Sequence, residues 1–151
     1  MMNQNYSIYV GIALSDGCDG DKQGGIGLVI YDETHQCIEQ QRIQVLEVTD
    51  NAELELCALA EALEYAQDGD IIYSSSAFCV NGYNEWLDNW KARGWRKSNK
   101  KPVANRKLWR QVDELRSTKY VEVYQASGRN PSGQIFKAVE LAKECFNGED
   151  F

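Results

Sequence analysis

The sequence predicts an α/β chain: a five-stranded mixed sheet, its first three strands antiparallel, flanked by helices and carrying a basic helical handle. Three observations predict it. The first 48 residues hold three runs rich in β-branched and aromatic types, separated by turn signals. From Asp50 the apolar period lengthens from that of a strand to that of a helix. Two short strand-like runs then alternate with helical stretches, which calls for parallel crossings in the same sheet. With 151 residues, no internal repeat and no linker composition, the chain reads as one domain over 1–151. A chain of this size buries roughly two thirds of its unfolded surface without covalent staples.

Residues 6–14 (YSIYVGIAL) make the first strand, and 24–33 (GGIGLVIYDE) the second, entered through a glycine-rich turn. After a turn at His35 and Gln36, residues 37–48 make the third strand. Leu54, Cys57, Ala58, Leu59, Ala62, Leu63 and Ala66 then follow helical spacing, with Asp50 and Glu53 in the positions of a capping box and Gly69 ending the helix. DIIYSSS at 70–76 is a short buried strand. In the helix that follows, Trp86 and Trp90 share one face at i, i+4. Pro102 interrupts the chain before a further helix at 105–117; a fifth strand at 119–127 and a last helix at 133–146 complete the order βββαβαααβα.

Composition narrows the classes of function. The five cysteines, at 18, 37, 57, 79 and 145, contain no C-x-x-C pair, and His35 is the sole histidine, so a structural zinc site is not expected. Such thiols read as small buried hydrophobes in a reduced, cytoplasmic chain. The opening MMNQNYSIYV lacks a basic segment followed by a long apolar run, and no run approaches about 18 apolar residues, so neither secretion nor membrane association is expected. The net charge of −7 hides a dipolar molecule: residues 91–110 carry nine basic side chains and no acidic one, leaving seven basic against 23 acidic elsewhere. That asymmetry reads as an interaction surface.

The stretch NEWLDNWKARGWRKSNKKPVANRKLW, at 84–109, holds all four tryptophans and the densest run of basic residues. With GGIG at 24–27 and T-D-N-A-E-L-E-L at 49–56, it closely resembles type 1 ribonuclease H of bacteria, including the basic protrusion of that family. The resemblance implies a ribonuclease H fold and a protein that handles RNA–DNA hybrid or duplex RNA. In that family four carboxylates hold two magnesium ions about 4 Å apart, one activating water and the other stabilising the leaving oxygen.

Carried over position by position, the resemblance implies a degenerate site. Glu55 matches the second carboxylate, with Glu53 as the other register. Ser76 stands at the third position, where its ordinary role would be to cap the next helix, while Asp70 lies about 20 Å away at the other end of the strand. Val139 stands at the fourth, and Glu140 points about 100° away on the helix. At the first position either Gly11 replaces the aspartate or Asp16 supplies it. At most two carboxylates, Glu55 and Asp16, remain as remnant catalytic and metal-binding groups. No bound metal is expected, and magnesium would serve only residual activity.

The loop that carries a histidine in the family offers Ser127, Arg129 and Asn130 here, and His35 reads as a surface residue. In the hybrid cleft Asp50 takes the place of a phosphate-binding threonine, Asn51 and Asn105 match retained asparagines, and Phe78 replaces a base-contacting glutamine. Lys91, Arg93, Arg96, Lys97, Lys100, Lys101, Arg106, Lys107 and Arg110 are the phosphate contacts the handle would supply, and the tryptophans its small core. The leading expectation is a nucleic-acid-binding homologue that no longer cleaves. A weakly active magnesium-dependent hybrid ribonuclease and a protein-interaction module, its handle meeting an acidic partner or second copy, are the alternatives.

Overall fold

The computed structural model describes residues 5–16, 22–97, 99–126 and 132–147. Its elements run β1 (Ser7–Asp16), β2 (Lys22–Tyr31), β3 (Cys37–Val45), α1 (Asn51–Tyr65), β4 (Ile71–Ser74), α2 (Ala77–Asn81), a π-helical turn (Gly82–Trp86), α3 (Leu87–Ala92), α4 (Arg106–Thr118), β5 (Glu122–Gln125) and α5 (Ser132–Asn147). The five strands form one sheet in the order β3-β2-β1-β4-β5. β1, β2 and β3 pair antiparallel, whereas β4 and β5 join parallel to β1. This is the mixed sheet that the alternation of strand and helix periods demanded. No helix among the described residues is long and apolar enough to cross a membrane.

β2 is buried along nearly its whole length because both faces of the sheet are covered. On one face α1 closes the main core, where Ile8, Ile26, Leu28, Leu54, Leu59 and Leu63 are almost fully excluded from water. On the other, Val29 packs with Ala138 and Leu141 of α5. Here the glycines of GGIG have a different task from the turn expected of them. They lie inside β2, and a β-carbon on Gly27 or Gly25 would stand 2.0 Å from the Ala138 carbonyl oxygen or 2.2 Å from that of Ala142. The missing side chains let the helix rest its backbone on the strand.

The turns and ends obey local chemistry. Asp32 accepts from the Thr34 and Gln36 amides and the Thr34 hydroxyl, closing the β2–β3 turn with His35 in a left-handed conformation (φ 66°). These bonds, led by the Thr34 hydroxyl, hold the Asp32 carboxyl below the usual carboxylate range. Asp50 caps α1 by accepting from the Glu53 amide at 2.9 Å, and Glu53 reaches back to the Thr49 amide at 2.6 Å, one residue earlier than a standard capping box requires. β3 stops at Val45, three residues short of the expected end. Cys79 is buried and Cys37 exposed, so the thiols are not uniformly core residues.

β5 lies at the edge of the sheet, and its outward carbonyls would be open to another strand. The Tyr83 hydroxyl and the Asn84 amide donate to the carbonyls of Val121 (2.8 Å) and Val123 (3.0 Å) and close that edge. Burial pushes the Tyr83 hydroxyl up to about 12. A pKa raised above the unfolded value means that the fold favours the protonated phenol. That contribution is complete below about pH 10 and is lost as pH rises toward 12. Urea midpoints measured from pH 9 to 12 should therefore fall, and fall less in Tyr83→Phe, which starts lower but has no phenol to ionise.

Candidate functional site

Parallel pairing of Val10 with Ser74 sets the carboxyl end of β4 beside the middle of β1, and α1 crosses over one face of this pair. Glu55, half-buried on α1, accepts a hydrogen bond from the Ser76 hydroxyl at 2.7 Å. Ser76 directly precedes α2 and caps it, its oxygen accepting from the Cys79 amide at 3.1 Å. One serine hydroxyl thus acts both as a helix cap and as the donor to the carboxylate. Beneath it, burial pushes the Cys79 thiol up to about 12, which leaves it a protonated, unreactive neighbour.

Gly11 lies on the opposite side of the sheet. A β-carbon there would stand 2.4 Å from the Val139 nitrogen and 2.5 Å from the Ala138 carbonyl carbon, so residues 11 and 139 touch through their backbones. Strand alternation turns Val10 to the α1 face, where it joins the main core, while Gly11 faces α5. Asp16 pairs with Lys22 at the far end of the ladder. Five residues separate it from Gly11, about 17 Å of extended strand. Glu140 pairs with Lys143 at 3.3 Å. Asp70, 1 % exposed, accepts from the Tyr6 and Gln67 amides and serves the turn before β4.

Of the positions singled out in the sequence, the fold brings Glu55 to Ser76 and Gly11 to Val139, and leaves Asp16 and His35 apart from both pairs. Ser127, Arg129 and Asn130 lie outside the described residues. Among the described residues no three His, Cys, Asp or Glu side chains converge as a metal-binding group. One carboxylate bonded to a hydroxyl does not fit two magnesium ions, which demand several anionic oxygens.

The basic segment is built on an aromatic core. Trp109 is fully buried, its ring 5.3 Å from Trp90 and 5.5 Å from Phe78, and Trp86 stands 5.6 Å from Trp90. Phe78 therefore fills this core. Gly82 admits Trp109, since a β-carbon there would meet the indole at 2.1 Å. Between α3 and α4 the Lys97 amide donates to the Lys101 carbonyl at 2.7 Å and the Val103 amide to the Trp95 carbonyl at 3.1 Å, folding the loop back on itself. Trp95, Lys100 and Asn105 adopt positive φ of 66°, 69° and 57° in doing so. Such values strain residues other than glycine.

Lys91 is drawn to Asp113 at 3.1 Å, a buried carboxylate that also holds Arg116 and that sequence reasoning does not single out. Its only signal is an acidic residue on the apolar side of α4, between Val112 and Leu115. Arg93, Arg96, Lys97, Lys100, Lys101, Arg106, Lys107 and Arg110 are exposed and form no ion pair among the described residues. Arg93, Arg96, Lys97 and Lys100 together line an open concavity of about 450 Å³. Asn51 is exposed at the start of α1, and Asn105 precedes α4.

Known proteins share the fold and much of the sequence. The RNase H family profile matches residues 10–133. A ribonuclease H of Clostridium botulinum is 33 % identical over 147 residues, covering 90 % of this chain and 97 % of its own. One from Ralstonia nicotianae is 36 % identical over 142 residues, 87 % and 92 % of the two chains. Among solved structures, the prototype foamy virus (PFV) RNase H domain superposes with a TM-score of 0.81 at 19 % identity, over 95 % of this chain and 94 % of that one. LC9-RNase H1, a type 1 RNase H with the type 2 active-site motif, gives 0.76 at 22 % identity, over 98 % and 74 %. LC11-RNase H1, solved in complex with RNA/DNA hybrid, gives 0.65 at 18 % identity, over 93 % and 95 %. The structural likenesses speak for the fold, and the sequence relatives, a third identical over most of their length, carry the assignment further: the chain belongs to the RNase H family.

Proposed function

We propose that this chain binds RNA–DNA hybrid or duplex RNA through the segment 91–110 and does not hydrolyse it. The observation that carries the binding half is the set of eight exposed cations without ion-pair partners among the described residues, on a chain otherwise rich in carboxylates. The loop holding Lys97, Lys100 and Lys101 is closed by its own backbone bonds and tolerates strained residues, which favours a fixed presentation of charge over a merely solvated face. The complex of LC11-RNase H1 with hybrid supports the choice of ligand.

The non-hydrolytic half rests on Glu55. In this reading Glu55 is the remnant of the second carboxylate, Ser76 and Val139 stand where the third and fourth would be, and Val10 stands where the first would be. Val10 is preferred to Gly11, which faces α5, because Val10 shares the core beneath α1, and to Asp16, which pairs six residues further along β1. A lone carboxylate bonded to a serine lacks the charge that concentrates divalent cations, and its bond to Ser76 makes it a strut between α1 and α2.

Replacing Lys97, Lys100 and Lys101 together by alanine tests the binding half. Fluorescence anisotropy with labelled hybrid, followed from low to moderate salt, should show weaker binding and a salt slope reduced by about 0.9 for each phosphate that the variant no longer neutralises. Equal affinity and slope in the parent and the triple variant would refute it and favour a protein partner for the same surface.

A further inference from the structure

Residues 120, 122 and 124 share one face at the sheet's edge and form a cluster that the family's site does not use. The hydroxyls of Tyr120 and Tyr124 both donate to the Glu122 carboxylate, one to each oxygen, Tyr124 at 2.6 Å. The Tyr120 amide donates to Asp68 at 2.6 Å, so this tyrosine is bracketed by two carboxylates. Both rings stay open to solvent, Tyr120 65 % exposed and Tyr124 48 %. Tyr124 is also backed by other rings: Tyr73 lies 6.2 Å behind it and stacks on Tyr9 at 4.8 Å with 10° between planes. The ring is thereby held in place before any ligand arrives.

Charge decides what such a surface can take. Two cations border the same cleft of about 430 Å³, and both are already engaged. Arg116 is held by Asp88 (2.8 Å) and Asp113 (2.9 Å), and the Lys119 ammonium donates to the carbonyls of Leu63 and Ala66 at 2.7 Å each. Asp68 and Glu122 meet no cation among the described residues. The hydrogen bonds from Tyr120 and then Tyr124 hold the Glu122 carboxyl below its usual range, so it is ionised at neutral pH. Two uncompensated carboxylates repel phosphate and nucleic acid. Ring faces beside carboxylates attract a cation, and a planar guanidinium suits them better than a point-like ammonium because it stacks and forks at once.

We propose that Asp68, Tyr120, Glu122 and Tyr124 form a recognition site for an arginine side chain presented by a partner protein. The test is an amide-resolved NMR titration of the full chain with N-acetyl-arginine amide, beside N-acetyl-lysine amide and a short single-stranded RNA. Arginine amide should shift the signals of residues 68 and 120–125 saturably, with lysine amide several-fold weaker. Glu122→Gln should weaken the response by about threefold to thirtyfold, as should Tyr124→Ala, while Tyr124→Phe, which keeps the ring, retains most of it. Glu122→Gln removes one charge from a solvent-facing position and carries the test if Tyr124→Ala fails to fold. No saturable shift, indifference to Glu122→Gln, an equal response to lysine amide, or a shift of the same signals by RNA instead would each overturn the proposal.

Discussion

Replacing Gly11 by alanine should cost the fold about 3 kcal/mol or more, and by aspartate should prevent folding at ordinary temperatures. The atoms a β-carbon would meet, the Val139 nitrogen at 2.4 Å, the Ala138 carbonyl carbon at 2.5 Å and the Val139 Cα at 2.8 Å, are all backbone. No side chain can rotate out of the way. Relief requires α5 to move by about 1 Å, and α5 is also seated on Gly25 and Gly27, where its carbonyls lie closer still. Lifting the helix at residue 11 therefore loosens its packing on β2 at Ala138 and, one turn further on, at Ala142. Gly133→Ala is the control, because nothing stands within 4 Å of a β-carbon there and alanine is the better helix former. Urea unfolding should show the first variant destabilised and the second unchanged or slightly stabilised. A Gly11→Ala protein within about 0.5 kcal/mol of the parent would show that α5 is not seated as described.

The same glycines mark the boundary of what the sequence can disclose. The order of strands and helices follows from hydrophobic period and caps, because those signals are local: Asp50 and Ser76 each cap the helix that they precede in the chain. GGIG reads as a turn because glycine is a poor strand former in isolation. Its place inside β2 is set by α5, more than a hundred residues away, and no local signal carries that. The face of the sheet on which Gly11 lies is hidden for a related reason. A strand's alternation is visible in sequence, but which of the two faces meets α1 and which α5 is decided only when both helices dock. Glu55 and Ser76 are legible as separate residues, yet the bond between them depends on α1 and β4 meeting. The tyrosine pair around Glu122 gives no warning of itself, because a Y-x-E-x-Y alternation is what any half-exposed strand shows.

Incubated with labelled RNA–DNA hybrid and magnesium or manganese, the unaltered protein should show no cleavage, at least about a thousandfold below an active family member. Electrostatic stabilisation of phosphoryl transfer requires charge fixed in place before the reaction, and among the described residues the carboxylate that the fold offers beside β4 is Glu55, already bonded to Ser76. Glu55→Gln should therefore leave the cleavage assay blank and hybrid affinity unchanged, while altering stability only through the strut to Ser76. Turnover by the unaltered protein that Glu55→Gln abolishes would overturn this reading and establish Glu55 as a working ligand. On the proposed reading the restoring variant is Val10→Asp, Ser76→Asp and Val139→Asp, which adds charge without touching Gly11, whose replacement the α5 backbone forbids. Four carboxylates without a cation repel one another, so this variant should melt below the parent and recover on adding magnesium, a rise in Tm that the parent does not show. That rise separates restored ion binding from restored cleavage. On the proposed reading cleavage also needs the hybrid seated against α1, where the Asp50 carboxylate that caps the helix would oppose a phosphate.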